Sequence, residues 1–265
     1  MQKFNIMLGA IIGDIVGSKY EFNNTRDYNF VLFPSGCSFT DDTICTIAIA
    51  DAILNEMPYR DSLLSWCRKY PNPIGAYGSI FSQWIRSHAH NPYNSFGNGA
   101  AMRVSPIGWA FRISSDVLEE SKKSAECTHN HPEGIKGAQT IALCTWYLAN
   151  HRNFDDAKIM VDDICIGMYG KDYAHQIPSP GDWDVTCQGC VPLAVHLFLK
   201  SKNFEDAIRL AVSYGGDSDT LGAIVGSLAG AYYEIPEEIR LRALSCLPSR
   251  MTKVISKFEK LYCER

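Results

Sequence analysis

Two short polar clusters crowd carboxylates and hydroxyls against apolar helical runs: Phe39-Thr40-Asp41-Asp42-Thr43 and Gly215-Gly216-Asp217-Ser218-Asp219-Thr220. Oxygen-only donor sets of this kind suit hard cations such as Mg²⁺, Ca²⁺ or Mn²⁺ rather than zinc. Two such clusters together can hold two ions, and a two-ion site implies hydrolytic or transfer chemistry. The bland alternative is helix capping, because Asp and Thr at a helix start are stabilised by free N–H groups and by the dipole. One cap needs one acceptor, however, and each cluster offers more oxygens than a cap can use. Metal binding is therefore the expectation.

Three further polar groups accompany the clusters. Gly13-Asp14-Ile15-Val16-Gly17-Ser18-Lys19-Tyr20-Glu21 ends an apolar helix with a carboxylate at its tip, which could equally be an ordinary helix end with Glu21 in solvent. Phe96-Gly97-Asn98-Gly99-Ala100-Ala101-Met102-Arg103 is rich in small residues that let backbone N–H groups approach a phosphate or ribose, although Gly-Asn-Gly is also a common turn. Thr128-His129-Asn130-His131-Pro132 places two imidazoles in a loop, and without a third His nearby a hydrogen-bonding or ribose-contacting role is expected over metal. Cys187-Gln188-Gly189-Cys190 stands alone, with no second pair to complete a zinc site.

The elements that must position these residues read as helices. Ile44, Ile47, Ala48 and Ala52 form a stripe ending near Asn55; Leu63, Leu64, Cys67 and Tyr70 form another. Residues 135–149, the run Phe154–Met168 and the run Phe204–Val212 repeat at helical spacing. After the second cluster, Leu221, Ile224, Val225, Leu228 and Tyr232 share a face, while Gly222, Gly226 and Gly230 recur every four residues. Glycine inside a helix costs about 1 kcal/mol against alanine, so this stripe predicts another backbone in close approach. Pro236 opens a further helix with Glu237 and Glu238 in its first turn. Strand signals are scarce, since Phe30-Val31-Leu32-Phe33 is short and stopped by Pro34. The expected fold is all-α, a compact multi-helix bundle forming one domain over residues 1–265, with long functional loops near 20–40, 88–106, 127–134 and 172–187.

Bulk properties narrow the class. At 265 residues with 46% hydrophobic and 20% charged residues the chain can bury a large core. A net charge of −4 gives no overall field to attract nucleic acid. Arg240, Arg242, Arg250, Lys253, Lys257 and Lys260 fit a solvated helix face. The apolar stretch from Met7 is too short for a membrane span and ends in Asp14. Ten scattered cysteines fit buried, reduced thiols in a cytoplasmic protein.

Taken together and in this order, the motifs resemble those of the ADP-ribosylglycohydrolase family over nearly the whole chain. The resemblance is carried by Gly13-Asp14, Gly17-Ser18, Tyr20-Glu21, Thr40-Asp41-Asp42-Thr43, Gly75-Ala76-Tyr77-Gly78, Gly97–Arg103, Thr128-His129 and Gly216–Thr220. It implies an all-α bundle that hydrolyses the glycosidic bond between ADP-ribose and an acceptor. It implies two Mg²⁺ or Mn²⁺, one held by Thr40, Asp41 and Asp42 and one by Asp217, Asp219 and Thr220, with Asp219 reaching both. Glu21 and Asp42 would be the catalytic carboxylates. Tyr77, Gly78, Phe96, Gly97, Asn98, Gly99, Ala100, Met102 and His129 would contact the nucleotide. The Ala100-Ala101 pair leaves specificity open. The partner would be an ADP-ribose-containing substrate, with no nucleic acid, no membrane and a monomeric state. Two rivals are a non-catalytic ADP-ribose-binding or crystallin-like family member, which would keep the fold and lose ligands, and a helical phosphohydrolase of the HD type, which needs the adjacent His-Asp pair that this sequence lacks.

Overall fold

A helix that is apolar on every side has to lie inside a protein. Two segments meet that description, and the structure, a computed structural model, buries both. They are α1 (Leu8–Gly17) and α12 (Ser218–Tyr232), each buried along nearly its whole length. Residues 6–152, 154 and 156–262 are described; Met1-Gln2-Lys3-Phe4, Asn153, Asp155 and Cys263 lie outside them. Around the central pair are α2 (Asp41–Leu54), α3 (Tyr59–Lys69), α4 (Ser79–Arg86), α5 (Gly99–Met102), α6 (Ser105–Ala110), α7 (Ser114–Glu126) and α8 (Pro132–Asn150). The set is completed by α9 (Ala157–Tyr169), α10 (Cys187–Lys200), α11 (Phe204–Tyr214), α13 (Glu237–Ser245) and α14 (Ser249–Tyr262). The fold is all-α. Among the described residues the only extended pairings are isolated bridges, Thr40 with Ile74 and Gly97 with Thr186, so the Phe30–Phe33 run forms no strand.

The glycine stripe of α12 meets a second stripe on α1. A Cβ built on Gly222 would lie 2.6 Å from the Gly13 carbonyl oxygen, and one on Gly230 would lie 3.0 Å from the Gly9 Cα. The reciprocal Cβ positions on Gly9, Gly13 and Gly17 would run into the backbone of α12 at Gly226, Gly222 and Ser218-Asp219. The two helices therefore touch backbone to backbone, which is the approach that the helical cost of glycine predicted. This seam fixes the relative height of Asp14 and Asp219, one from each helix. One contiguous apolar core joins the seam to the flanking helices, including Trp66, Phe198, Phe204 and Phe258.

The loops are shorter than the spacing predicted. Residues 88–106 contain α5 and the start of α6, α8 begins at Pro132, and 172–187 carries one 3₁₀ turn at Tyr173–His175. Helix α7 has no counterpart in the apolar pattern because its buried face is Val117, Ser121, Ser124 and Ala125, small and partly polar. Helix α10 was likewise hidden, since Pro192 lies inside it. Residues 20–40 stay free of helix, as expected. On α13 and α14, Arg242, Arg250, Lys253, Lys257 and Lys260 are exposed.

Candidate active site

Both acidic clusters sit at helix starts, and the seam brings them together. Thr40 is the N-cap of α2, and its hydroxyl accepts from the Asp42 amide. At the start of α12, Gly215 and Gly216 adopt φ of 83° and 79°, a left-handed turn that only glycine takes without strain. Asn24 clamps that turn, its Oδ1 accepting from the Gly216 amide at 2.7 Å and its Nδ2 donating to the Gly216 carbonyl at 3.0 Å. Across the gap, the Thr220 hydroxyl donates to Asp42 Oδ2 at 3.3 Å. Asn98 Nδ2 donates to Asp217 Oδ2 at 2.6 Å, which ties the glycine-rich loop to the second cluster.

Asp14 organises the floor from beneath. It is fully buried and accepts from the Thr40 amide at 3.0 Å, the Thr40 hydroxyl at 2.7 Å, the Thr43 amide at 3.0 Å and the Thr43 hydroxyl. It thus caps the first turn of α2 from a different helix. The sequence placed this residue at a helix tip and gave it no role. Its position was a usable signal, because an Asp in the last turn of an apolar helix opposes the dipole.

Carboxylate oxygens of Asp14, Asp42 and Asp219 lie within 4.8 Å of one another, as do those of Glu21, Asp217 and Asp219. Asp219 belongs to both groups. Asp41 falls outside both groups but lines the adjoining cavity. Among the described residues no Lys or Arg forms an ion pair with any of these acids. Burial and mutual repulsion consequently favour the protonated forms. Burial pushes Asp14 up to about 6, hydrogen bonds from Thr43 and Thr40 notwithstanding. Burial and the neighbouring Asp217 charge push Glu21 up to about 7. Burial, then the surrounding carboxylates, hold Asp41, Asp42 and Asp219 well above the usual range. Asp217 is raised by burial too, against hydrogen bonds that lower it. Asp42 Oδ1 and Glu21 Oε2 are buried with no protein partner. Orphaned acceptors in an all-oxygen cluster fit a divalent cation, which would relieve the repulsion and return the acids to their charged forms.

A cavity of about 450 Å³ opens above these acids. Of the residues expected to contact a nucleotide, Tyr77, Gly78, Gly97, Asn98, Gly99, Met102 and His129 line it. Tyr77 is oriented by its hydroxyl, which donates to the Tyr70 carbonyl at 2.8 Å. Phe96 and Ala100 are not brought to the wall. Phe96 is 44% exposed with its ring 5.3 Å from His131, and Ala100 is fully buried under the loop. Thr40 is also fully buried, engaged with Asp14. Lining residues that the sequence pattern missed include Phe22, Phe81, Tyr93 and Trp183, while Arg103 was quoted within the glycine-rich motif but given no role. Phe22 and Trp183 stack at 5.7 Å across the mouth, from loops far apart in sequence, so no local spacing could announce them.

The lone Cys187–Cys190 pair lies in the first turn of α10, buried. Cys187 Sγ donates to the Gly97 carbonyl at 3.1 Å, and burial pushes its thiol up to about 12. Every cysteine among the described residues is a free thiol.

A family model described as ADP-ribosylglycohydrolase matches residues 4–262. The ADP-ribosylhydrolase ARH3 of Mus musculus is 25% identical, over 87% of this chain and 84% of that protein. The ADP-ribosyl-[dinitrogen reductase] glycohydrolase of Rhodospirillum rubrum is 25% identical, over 87% and 85%. The ADP-ribosylarginine hydrolase Tri1 of Pseudomonas putida is 27% identical, over 86% and 70%. A solved structure titled ADP-ribosylglycohydrolase-related protein complex superposes with a TM-score of 0.70 at 23% identity, over 98% of this chain and 95% of that one, a likeness of fold.

Proposed function

The chain belongs to the ADP-ribosylglycohydrolase family, and from that premise we propose that it cleaves the bond between ADP-ribose and an acceptor with the help of two divalent cations. The observation that carries this reading is the meeting of the two clusters, Thr220 Oγ1 on Asp42 Oδ2 at 3.3 Å, beneath a cavity lined by Glu21 and Asp42, each with one buried carboxylate oxygen that has no protein partner. Asp14, Asp42 and Asp219 would hold one Mg²⁺ or Mn²⁺, with Thr40 and Asp41 beside them, and Glu21, Asp217, Asp219 and Thr220 the other. When bound, such ions neutralise the crowded acids and polarise hydroxyls or water brought near them.

The chain's own residues then do the following. The wall of Tyr77, Gly78, Gly97, Asn98, Gly99, Met102 and His129 takes the nucleotide and presents the ribose to the floor. Glycosidic cleavage passes through an oxocarbenium-like state, so negative charge at the floor favours it. Glu21 or Asp42 accepts the proton of the attacking water. Both residues line the cavity and keep one unpartnered oxygen, but Asp42 is also held by the Thr40 and Thr220 hydroxyls, which leaves Glu21 the freer carboxylate for this role. One contiguous core supports treating the chain as a single domain of this kind. No described helix is long and apolar enough to cross a membrane.

The test is release of ADP-ribose from peptides ADP-ribosylated on Arg or Ser and from O-acetyl-ADP-ribose, with Mg²⁺ and with EDTA. Metal-dependent release from at least one of them is expected, with calorimetry showing two ions per chain. No release from any substrate, with ADP-ribose still bound, would make the protein a binding module.

A further inference from the structure

Arg103 is a buried cation without a counter-charge. It follows α5, is 1% exposed and lines the cavity. Its Nη2 donates to the Ser124 carbonyl at 3.0 Å and to the Thr128 hydroxyl at 3.0 Å, while Nε has no partner. Among the described residues no carboxylate lies within ion-pair distance of it. Burying a charge unpaired is costly, so its retention calls for a role.

The Thr128 hydroxyl passes the contact on. Its Oγ1 lies 2.7 Å from His129 Nδ1. A hydroxyl has one hydrogen and two lone pairs, and a guanidinium can only donate. The Arg103 contact therefore occupies a lone pair on Oγ1. Two acceptors then stand beside the Thr128 hydrogen, His129 Nδ1 and the Tyr93 hydroxyl, and the 2.7 Å contact to Nδ1 is the short one, which assigns the hydrogen to the imidazole. A neutral imidazole that accepts at Nδ1 carries its proton on Nε2. Burial and then the Arg103 charge hold the imidazole well below its usual pKa, which keeps it neutral. The Tyr93 ring, 6.1 Å away, faces it as well, and burial raises that phenol to about 12, so it brings no charge.

The ring is also placed. Gly134, in the first turn of α8, leaves room for it, since a Cβ there would lie 3.1 Å from His129 Cβ and 2.8 Å from the Ser95 carbonyl. Nε2 faces the glycine loop, where a Cβ on Gly99 would come within 3.2 Å and one on Gly97 within 3.6 Å. Among the described residues no group accepts from Nε2, and His129 lines the cavity.

We propose that Arg103, acting through the Thr128 hydroxyl, locks His129 as the Nε2–H tautomer, so that a neutral N–H donates to an acceptor oxygen of bound ADP-ribose. Arg103 and Thr128 are positioning residues and His129 is a fixed donor, not an acid or base. The ligand half of this inference rests on the proposed function; the tautomer half does not.

The experiment is nitrogen-15 NMR of the imidazoles in the full chain, with ADP-ribose binding followed by calorimetry. The expected result is a protonated Nε2 and a bare Nδ1 on His129, unchanged from pH 6 to pH 8. Thr128→Val removes the hydroxyl at nearly constant volume; it should mix the two tautomers and weaken ADP-ribose about tenfold, and Thr128→Ser should restore both. His129→Gln, which keeps a donor near Nε2, should bind better than His129→Asn. A native ring protonated on Nδ1, or Thr128→Val leaving tautomer and affinity unchanged, overturns the proposal. If Thr128→Val does not fold, the native spectrum alone decides the tautomer. If the wild type binds no ADP-ribose, the proposed function fails while the tautomer is still decided.

Discussion

The acidic floor and the His129 wall share one cavity and carry opposite surpluses. The floor gathers Asp14, Glu21, Asp42, Asp217 and Asp219 with no cation among the described residues to balance them. The wall holds Arg103 with no anion beside it. The floor relieves its charge by taking up protons, so its state depends on pH until a metal arrives. The wall cannot do so, because a guanidinium keeps its proton. The supports differ as well. Helices in backbone contact hold the floor, whereas a glycine loop tied by Asn98 and Cys187 holds the wall. Each half is unfinished in a way that the opposite kind of ligand would complete.

Breaking the floor should have the largest consequence. Asp219 belongs to both carboxylate groups, so Asp219→Ala should abolish binding of both ions. Several kcal/mol of charge stabilisation would go with them, about a thousandfold or more in turnover. Full metal occupancy by calorimetry in that variant would refute the shared role. Next comes the seam under the floor. Gly13→Ala forces a methyl into the Gly222 backbone and should lower stability by about 1–3 kcal/mol, read as a shifted denaturant midpoint. Gly167→Ala is its control, because a Cβ there meets nothing within 4 Å and should cost nothing.

Glu21→Gln sharpens the contrast within the floor. It keeps size and hydrogen bonding but removes the proton acceptor, so turnover should fall at least about tenfold with ADP-ribose affinity retained. Turnover at the wild-type rate would return Glu21 to the status of a loop residue.

The pH response separates the halves more gently. Asp14 and Glu21 titrate near 6 and 7 in the fold, against 3.8 and 4.5 for the ordinary groups. The folded state thus holds more protons than the unfolded chain between about pH 4 and pH 7. In EDTA this contribution is complete below pH 4 and is lost as pH rises through 7, so Tm should decline across that window. Saturating Mg²⁺ should raise Tm more at pH 7.5 than at pH 5, since the cation then meets fewer protons. A Tm in EDTA that climbs from pH 5 to pH 7.5 would contradict the protonated floor. The smallest effect belongs to the wall's thiol. Cys187→Ser should leave turnover of the folded protein within about twofold, because a buried neutral thiol supplies a hydrogen bond and no chemistry.

Much of this site was legible because its parts are local. Thr40-Asp41-Asp42 and Asp217–Thr220 stand out as surplus oxygens at helix starts, and the Gly222–Gly226–Gly230 stripe announces a close neighbour. The resemblance to the family led to Tyr77, Gly97 and His129, which line the cavity. The same motif-wise approach included Phe96 and Ala100, which do not, because adjacent residues of one loop point in different directions.

The sequence by itself determined the helical class, most helix positions and the oxygen chemistry of the two clusters. Periodicity, caps and composition are properties of neighbouring residues, and neighbours in sequence remain neighbours in a helix. Only the tertiary structure decided which helix meets the α12 stripe, that Asp14 rises beneath Thr40 and Thr43, and that Phe22 and Trp183 face each other. It alone also put Arg103 behind Thr128 and aimed His129 at the glycine loop. Those relations depend on distances of a few ångströms between segments far apart along the chain. Such distances are set by how backbones and side chains pack, and no local pattern of residue types records them.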